Sequence, residues 1–222
     1  DPFNIYSHRS WQPLLDLARD RSDRIVMRPA RLRSSEPDPL AELTTVERRL
    51  EHGSRITTRR LVAGSRTLIS RTRRDPDVNT VWSEDHLLKD TADLRDYLDL
   101  PQPMTAGEAE TAPVLEAETA LGESGIVMID TPDPLCLAAS LFAMEEFTVV
   151  ALTERELFTR LLDRLAEPIL ARTEIVARAL GEGTRGVGRG FVLMPSACPY
   201  GRVLSPRAMR NYELMIELAE AD

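Results

Sequence analysis

The chain has 222 residues, 42% of them hydrophobic, and a net charge of −8, values typical of globular proteins and sufficient for one large domain or two small ones. The negative charge repels phosphate backbones and the sequence shows no basic face, so we expect no nucleic-acid partner. The two cysteines lie far apart and no apolar stretch approaches the roughly 18 residues of a membrane span, so we expect a reduced, cytoplasmic setting.

Helical and extended patterns alternate in the first hundred residues. Apolar residues at i, i+3, i+4 and i+7 predict a helix over residues 10–20 with one buried face. A short strand is predicted in "DRIVMRP", and a weak helix around residues 40–50. Farther along, the β-prone runs 57–62 and 67–72 flank Gly64, which accommodates the positive φ of a turn. They predict an antiparallel hairpin.

Capping signals predict the start of four further helices. In each case a residue with a short polar side chain precedes an apolar periodic run, and two of them have Glu three residues later. The predicted caps are Asp90, Thr105 with Glu108, Asp133 followed by Pro134, and Thr153 with Glu156. Gly122 is expected to end the second of these helices. Residues 147–151 have strand propensity but lie between two helical patterns, so both states stay open.

Two apolar segments predict buried parallel strands. Residues 125–130, "GIVMID", are apolar almost throughout rather than alternating, as in a strand covered on both faces, and residues 191–194 form a second such run. A polar loop follows the second run, and Ser205-Pro206 then predicts a helix start. Strand, loop and helix form the βα unit of a parallel α/β fold.

The glycine cluster "GEGTRGVGRG", residues 181–190, precedes a strand. A phosphate cradle needs the opposite order, in which a strand leads into the glycine loop and then a helix N-terminus. We therefore interpret the cluster as a flexible loop, or as the junction of two glycine-rich ends, rather than as a phosphate site.

Polar residues just past the predicted parallel strands are the best candidates for chemistry. Asp130 and Cys198 each follow such a strand, and parallel α/β folds keep their active sites at that edge. Asp130 has the alternative role of a helix or turn cap. Cys136 is expected to be a small buried hydrophobe, and the three histidines lack metal-ligand spacing.

Three segments together resemble the uroporphyrinogen decarboxylase superfamily, which includes cobalamin-dependent methyltransferases. They cover about half of the chain, and the last is the most specific. The segments are "RTLISRTRRDPDVNTVWSEDHLLKDTADLRDYLDLP" (66–101), "PLCLAASLFAMEEFTVVALTERELFTRLLDRLAEPI" (134–169) and "GRGFVLMPSACPYGRVLSPRAMRNYELMIE" (188–217).

The resemblance implies an α/β fold, a (β/α)8 TIM barrel of the uroporphyrinogen decarboxylase type. Such barrels are typically about 250 residues or longer, so a large middle segment would be missing from this chain. It would fall between Leu180 and Arg189 and include the His-x-Cys zinc pair of the methyltransferases. The expected organisation is a single barrel domain over 1–222, a hairpin-bearing region over about 50–100 and a break near 181–190.

The resemblance also implies a function. Cys198 matches the third zinc ligand of the methyltransferases, so the expected enzyme is a zinc-assisted methyltransferase that acts on a small-molecule substrate with a corrinoid (cobalamin) cofactor on a partner protein. Uroporphyrinogen decarboxylation and a non-catalytic binding remnant stay as alternatives. The decarboxylase segments "RQAGRY" and "FSDI" are absent, and Ser140 replaces the family's tyrosine. Asp130 and Ser140 are the expected substrate-binding residues, and a homodimer stays open.

Overall fold

The computed structural model describes residues 8–22, 24–33, 37–102, 104–183 and 192–195. Within these ranges the chain is a small α/β fold with a three-stranded parallel sheet, a four-stranded antiparallel sheet and a short antiparallel pair of strands.

The helices are α1 Gln12–Arg21, α2 Thr91–Leu98, α3 Ala112–Leu121, α4 Pro134–Leu141, α5 Met144–Thr153 and α6 Arg155–Gly183. The strands are β1 Arg24–Arg28, β2 Arg31–Arg33, β3 Thr44–Glu51, β4 Ser54–Ala63, β5 Arg66–Arg74, β6 Val81–Asp85, β7 Glu108–Glu110, β8 Gly125–Thr131 and β9 Val192–Pro195.

The expected eight-fold barrel is wrong for the described part of the chain. Parallel pairing there is confined to one sheet, with the order β1-β8-β9. Strands β3 to β6 instead form an antiparallel meander, because short connections join consecutive strands, whereas parallel strands need a long crossover. Helices α3 and α6 both pack on one face of the parallel sheet, against Val127 and Ile129.

Tight turns shape the antiparallel sheet. His52 and Gly53 join β3 to β4 with φ of 51° and 86°, the positive values of a two-residue hairpin turn. Gly64, with φ of 58°, lies in the turn between β4 and β5, so the predicted hairpin is confirmed. The weak helix expected around residues 40–50 is wrong, because β3 pairs with β4 along its whole length.

Two hydrophobic clusters form the core, and α6 contributes to both. The first joins the base of the antiparallel sheet to α2, α4, α5 and the N-terminal half of α6. The second joins the parallel sheet to α3 and the C-terminal half of α6. The α6 residues of these clusters are Phe158, Leu161 and Leu162 in the first, and Val176 and Leu180 in the second.

The predicted helix caps have mixed outcomes. Asp90 and Asp133 accept backbone N–H bonds at the starts of α2 and α4, as predicted. Glu108 instead lies in β7, which pairs with β2, so the helix expected from it begins later, at Ala112. The hydroxyl of Thr153 donates to the Val149 carbonyl inside α5, which also settles residues 147–151 as helical.

Two predictions of burial are wrong. Helix α1 forms, but none of its residues is buried. Strand β8 is covered on the face that meets α3 and α6, but its other face is covered only in part, since Met128 there is buried and Ile126 is 42% exposed. In the described ranges no single helix has the length and hydropathy to cross a membrane; α4 and α5 pass such a test only when joined, and they are bent by 117°.

Candidate functional site

The carboxyl ends of the three parallel strands meet at one edge of their sheet. Strand β8 ends at Thr131, whose register partner is Pro195 at the end of β9, and β1 ends beside Ile129. In parallel α/β sheets ligands bind in the crevice outside this edge. The side chains at this edge are therefore the first candidates for function.

Arg172 of α6 reaches this edge. Its Nη2 donates to the carbonyl of Ala30, just beyond β1, at 2.6 Å and to that of Asp130 in β8 at 3.4 Å. Arg172, Val176 and Leu180 are at i, i+4 and i+8 and so lie on one face of the helix. Because the two apolar residues are buried in the core, the Arg172 side chain is directed toward the sheet edge.

The Arg172 guanidinium is partly removed from water. This burial lowers its pKa from the ordinary value, and the charge of Asp130 opposes the shift by favouring the protonated form. Within the described ranges no carboxylate oxygen lies within the 4.0 Å of an ion pair with Arg172. The site therefore presents a partly desolvated positive charge whose known partners are two carbonyl groups.

Asp130 adds a negative group at the same edge. Its side chain is exposed. It alternates with Ile129, which packs toward α6, so it projects from the opposite face of the sheet. The buried Asp133, and not Asp130, caps α4: its carboxylate accepts a hydrogen bond from the Cys136 N–H at 2.9 Å. Asp130 is left for other interactions.

Ser140 lies apart from this edge. It is an exposed residue near the end of α4, and its hydroxyl donates to the Leu137 carbonyl at 2.7 Å. Its own carbonyl lies 3.3 Å from Nδ1 of His86. No hydrogen bond between described residues joins Ser140 to Asp130 or Arg172, so the expected pair of substrate-binding residues is not brought together through direct contacts.

Cys198, the predicted zinc ligand, lies outside the described residues. The other cysteine, Cys136, is partly buried in α4. Across the described ranges no three His, Cys, Asp or Glu side chains come close enough together to hold a metal ion. The zinc site that the resemblance implies at Cys198 therefore stays a prediction.

Sequence reasoning missed Arg172. The start of α6 was predicted from a capping signal, but its apolar period was not followed as far as Val176 and Leu180. An arginine at the helical spacing of such apolar residues could have been recognised from the sequence. Its side chain must then lie beside the core rather than in open water.

Comparison with known proteins assigns neither a family nor a function to the chain. No protein-family model, no curated protein and no solved structure matches the chain.

Proposed function

We propose that the chain binds an anionic small molecule at the carboxyl edge of its parallel sheet, and that Arg172 receives the carboxylate or phosphate group. The supporting observation is the partly buried guanidinium with which no described carboxylate forms an ion pair. An Arg side chain has five N–H donors in a planar fork that matches carboxylate and phosphate. Among the described residues its hydrogen bonds involve Nη2 alone, so the Nε and Nη1 donors are the ones offered to a ligand.

Electrostatics favours an anion over a neutral ligand here. A buried charge is costly unless another charge or hydrogen bonds compensate it. An anion at the edge would both neutralise Arg172 and exclude water from the pair. Asp130, on the other face, would accept hydrogen bonds from hydroxyl or amine groups of the same ligand, which would orient it.

The test uses citrate and inorganic phosphate as probes. We expect each to raise the melting temperature of the wild-type chain in a concentration-dependent way, since a ligand that binds the native state stabilises it. Arg172→Gln should abolish most of the rise. Arg178→Gln, at an exposed position of the same helix, is the matched control and should retain it. Equal responses of the two variants would refute the site.

For the reaction at this edge we propose methyl transfer between a small molecule and a corrinoid carried on a partner protein. The proposal rests on the resemblance over residues 188–217 and on the position of β9, which ends at this edge three residues before Cys198 in the sequence. In this reaction Arg172 would hold the substrate's anionic group. Because Cys198 lies outside the described residues, we assign no step to the metal.

Metal content and turnover test this reaction. We expect the purified full chain to contain zinc, Cys198→Ala to lose it, and Cys136→Ala, the matched control, to keep it. Methyl transfer to cobalamin should fall in Cys198→Ala alone. Zinc-free wild-type protein, or equal zinc in both variants, would defeat the role of Cys198. Decarboxylation of uroporphyrinogen without methyl transfer would favour the decarboxylase alternative.

A further inference from the structure

The two faces of the antiparallel sheet differ in charge. Directly paired residues of neighbouring antiparallel strands share a face, and successive residues alternate between faces. One face carries five arginines that are spread over β3, β4 and β5. Arg66, at the base of the sheet, pairs with Asp93 and Asp96 of α2 at 2.9 and 3.4 Å. The other four form the part that we name the arginine face, and they are Arg48, Arg55, Arg59 and Arg74.

The opposite face is neutralised within the chain. Glu47 there pairs with Arg49 and Arg60, and Arg71 pairs with Glu51 at 3.0 Å. Glu84 of β6 adds contacts at 2.8 Å to Arg71 and 3.3 Å to Arg73. Apart from the α2 carboxylates beside Arg66, the carboxylates that contact the sheet's arginines are therefore on this side.

The arginine face has no such neutralisation. None of its four guanidinium groups lies within 4.0 Å of a carboxylate oxygen in the described part of the chain. Arg74 donates to the amide oxygen of Asn79 at 2.9 Å, which carries no charge. Arg55 and Arg74 are direct cross-strand partners, and like charges in that arrangement repel each other. An anionic partner would relieve this repulsion.

Apolar and hydroxyl groups separate the arginines. In the row nearest the His52 turn, Leu50 and Val81 flank Arg55 and Arg74 across four strands, and Leu50 is 78% exposed. The next row is Arg48, Thr57, Thr72 and Ser83, and the row after it is Val46, Arg59 and Ser70. Rows on one face are about 7 Å apart. The surface thus alternates positive charge with small apolar groups.

We propose that the arginine face docks an acidic, amphipathic segment of a partner protein. Arginine interspersed with apolar groups is typical of protein interfaces. Binding of single-stranded nucleic acid relies on aromatic side chains for stacking, whereas Trp82 pairs with Arg73 and so lies on the opposite face. The net charge of −8 also repels a long polyphosphate at long range. A short acidic segment interacts mainly with the nearby positive charges of the arginine face.

The docking test measures binding of the full chain to a fluorescent poly-L-glutamate peptide and to single-stranded DNA of similar charge by fluorescence anisotropy. R55Q/R59Q should weaken peptide binding by roughly tenfold at low salt, because both removed charges face the partner. R49Q/R60Q, which removes two arginines of β3 and β4 on the opposite face, is the matched control and should change it by less than about threefold.

A third variant tests the apolar part of the surface. L50S should weaken binding of a peptide of alternating Glu and Leu but leave poly-L-glutamate binding unchanged. Circular dichroism must show that every variant keeps the wild-type fold. Absent peptide binding, equal losses for the two double variants, tighter binding of DNA than of peptide, or an L50S variant without effect would each overturn the proposal.

Discussion

Single charged residues on the antiparallel sheet link stability to pH. Glu47 accepts a hydrogen bond from Arg49 Nε at 2.7 Å and one from Arg60 at 3.2 Å. These bonds to the two arginines hold the pKa of the Glu47 carboxyl below its ordinary value of 4.5. A carboxyl whose pKa is lower in the folded state stabilises the fold above its unfolded pKa and loses that contribution as pH falls.

Glu47→Gln should therefore make the free energy of unfolding depend less on pH in the acidic range. We expect wild type to gain more stability than the variant between pH 3 and pH 6, and the two curves to converge as the pH falls through the lowered pKa. Denaturant unfolding at several pH values measures this difference. Glu42→Gln, which removes a carboxyl without an ion pair to a described residue, should leave the pH dependence unchanged; identical behaviour of both variants would contradict the assignment.

Elements determined by local signals were predicted best. The β4–β5 hairpin follows from two β-prone runs around Gly64, and the start of α4 follows from Asp133 and Pro134, so each depends on neighbours in sequence. Strand β3 was wrongly predicted as part of a weak helix. Its true state depends on pairing with β4. Strand β7 likewise depends on a partner distant in sequence, β2.

The turn between β3 and β4 offers a test at the level of one element. His52 has φ of 51°, a region that Asn tolerates better than most residues, and Gly53 follows it. His52→Asn should therefore stabilise the hairpin, raising the free energy of unfolding by about 0.5 kcal/mol. His52→Val, which places a β-branched residue at the same φ, should lower it. Thermal unfolding measures both, and a stabilising Val would contradict the turn geometry.

At the level of the whole molecule, sequence patterns predicted parallel strands but not their number or order. The apolar run of β8 indicates burial, yet nothing local in it states which strands lie beside it. The barrel was implied by the resemblance of three other segments, whereas the described chain has the sheet β1-β8-β9 and an antiparallel meander. The functional site could not be predicted from local sequence either, because Arg172 contacts Ala30 only when α6 packs across the edge of the sheet.

Helix α6 physically joins the two hydrophobic clusters, so they should unfold together. Leu161 lies in the first cluster and Leu180 in the second, and both are at most 2% exposed. Truncating a buried Leu to Ala removes apolar contacts and leaves a cavity, at a cost of about 2–5 kcal/mol. Because one continuous helix carries both residues, damage to either cluster should destabilise the other through α6.

Leu161→Ala and Leu180→Ala should therefore each lower the free energy of unfolding by about 2–5 kcal/mol and leave a single cooperative transition. Leu152→Ala removes a side chain that is 68% exposed and should change stability by less than about 0.5 kcal/mol. Denaturant unfolding followed by both circular dichroism and tryptophan fluorescence measures the transitions. Separate transitions, with Leu180→Ala shifting only one of them, would show that α6 does not couple the two clusters.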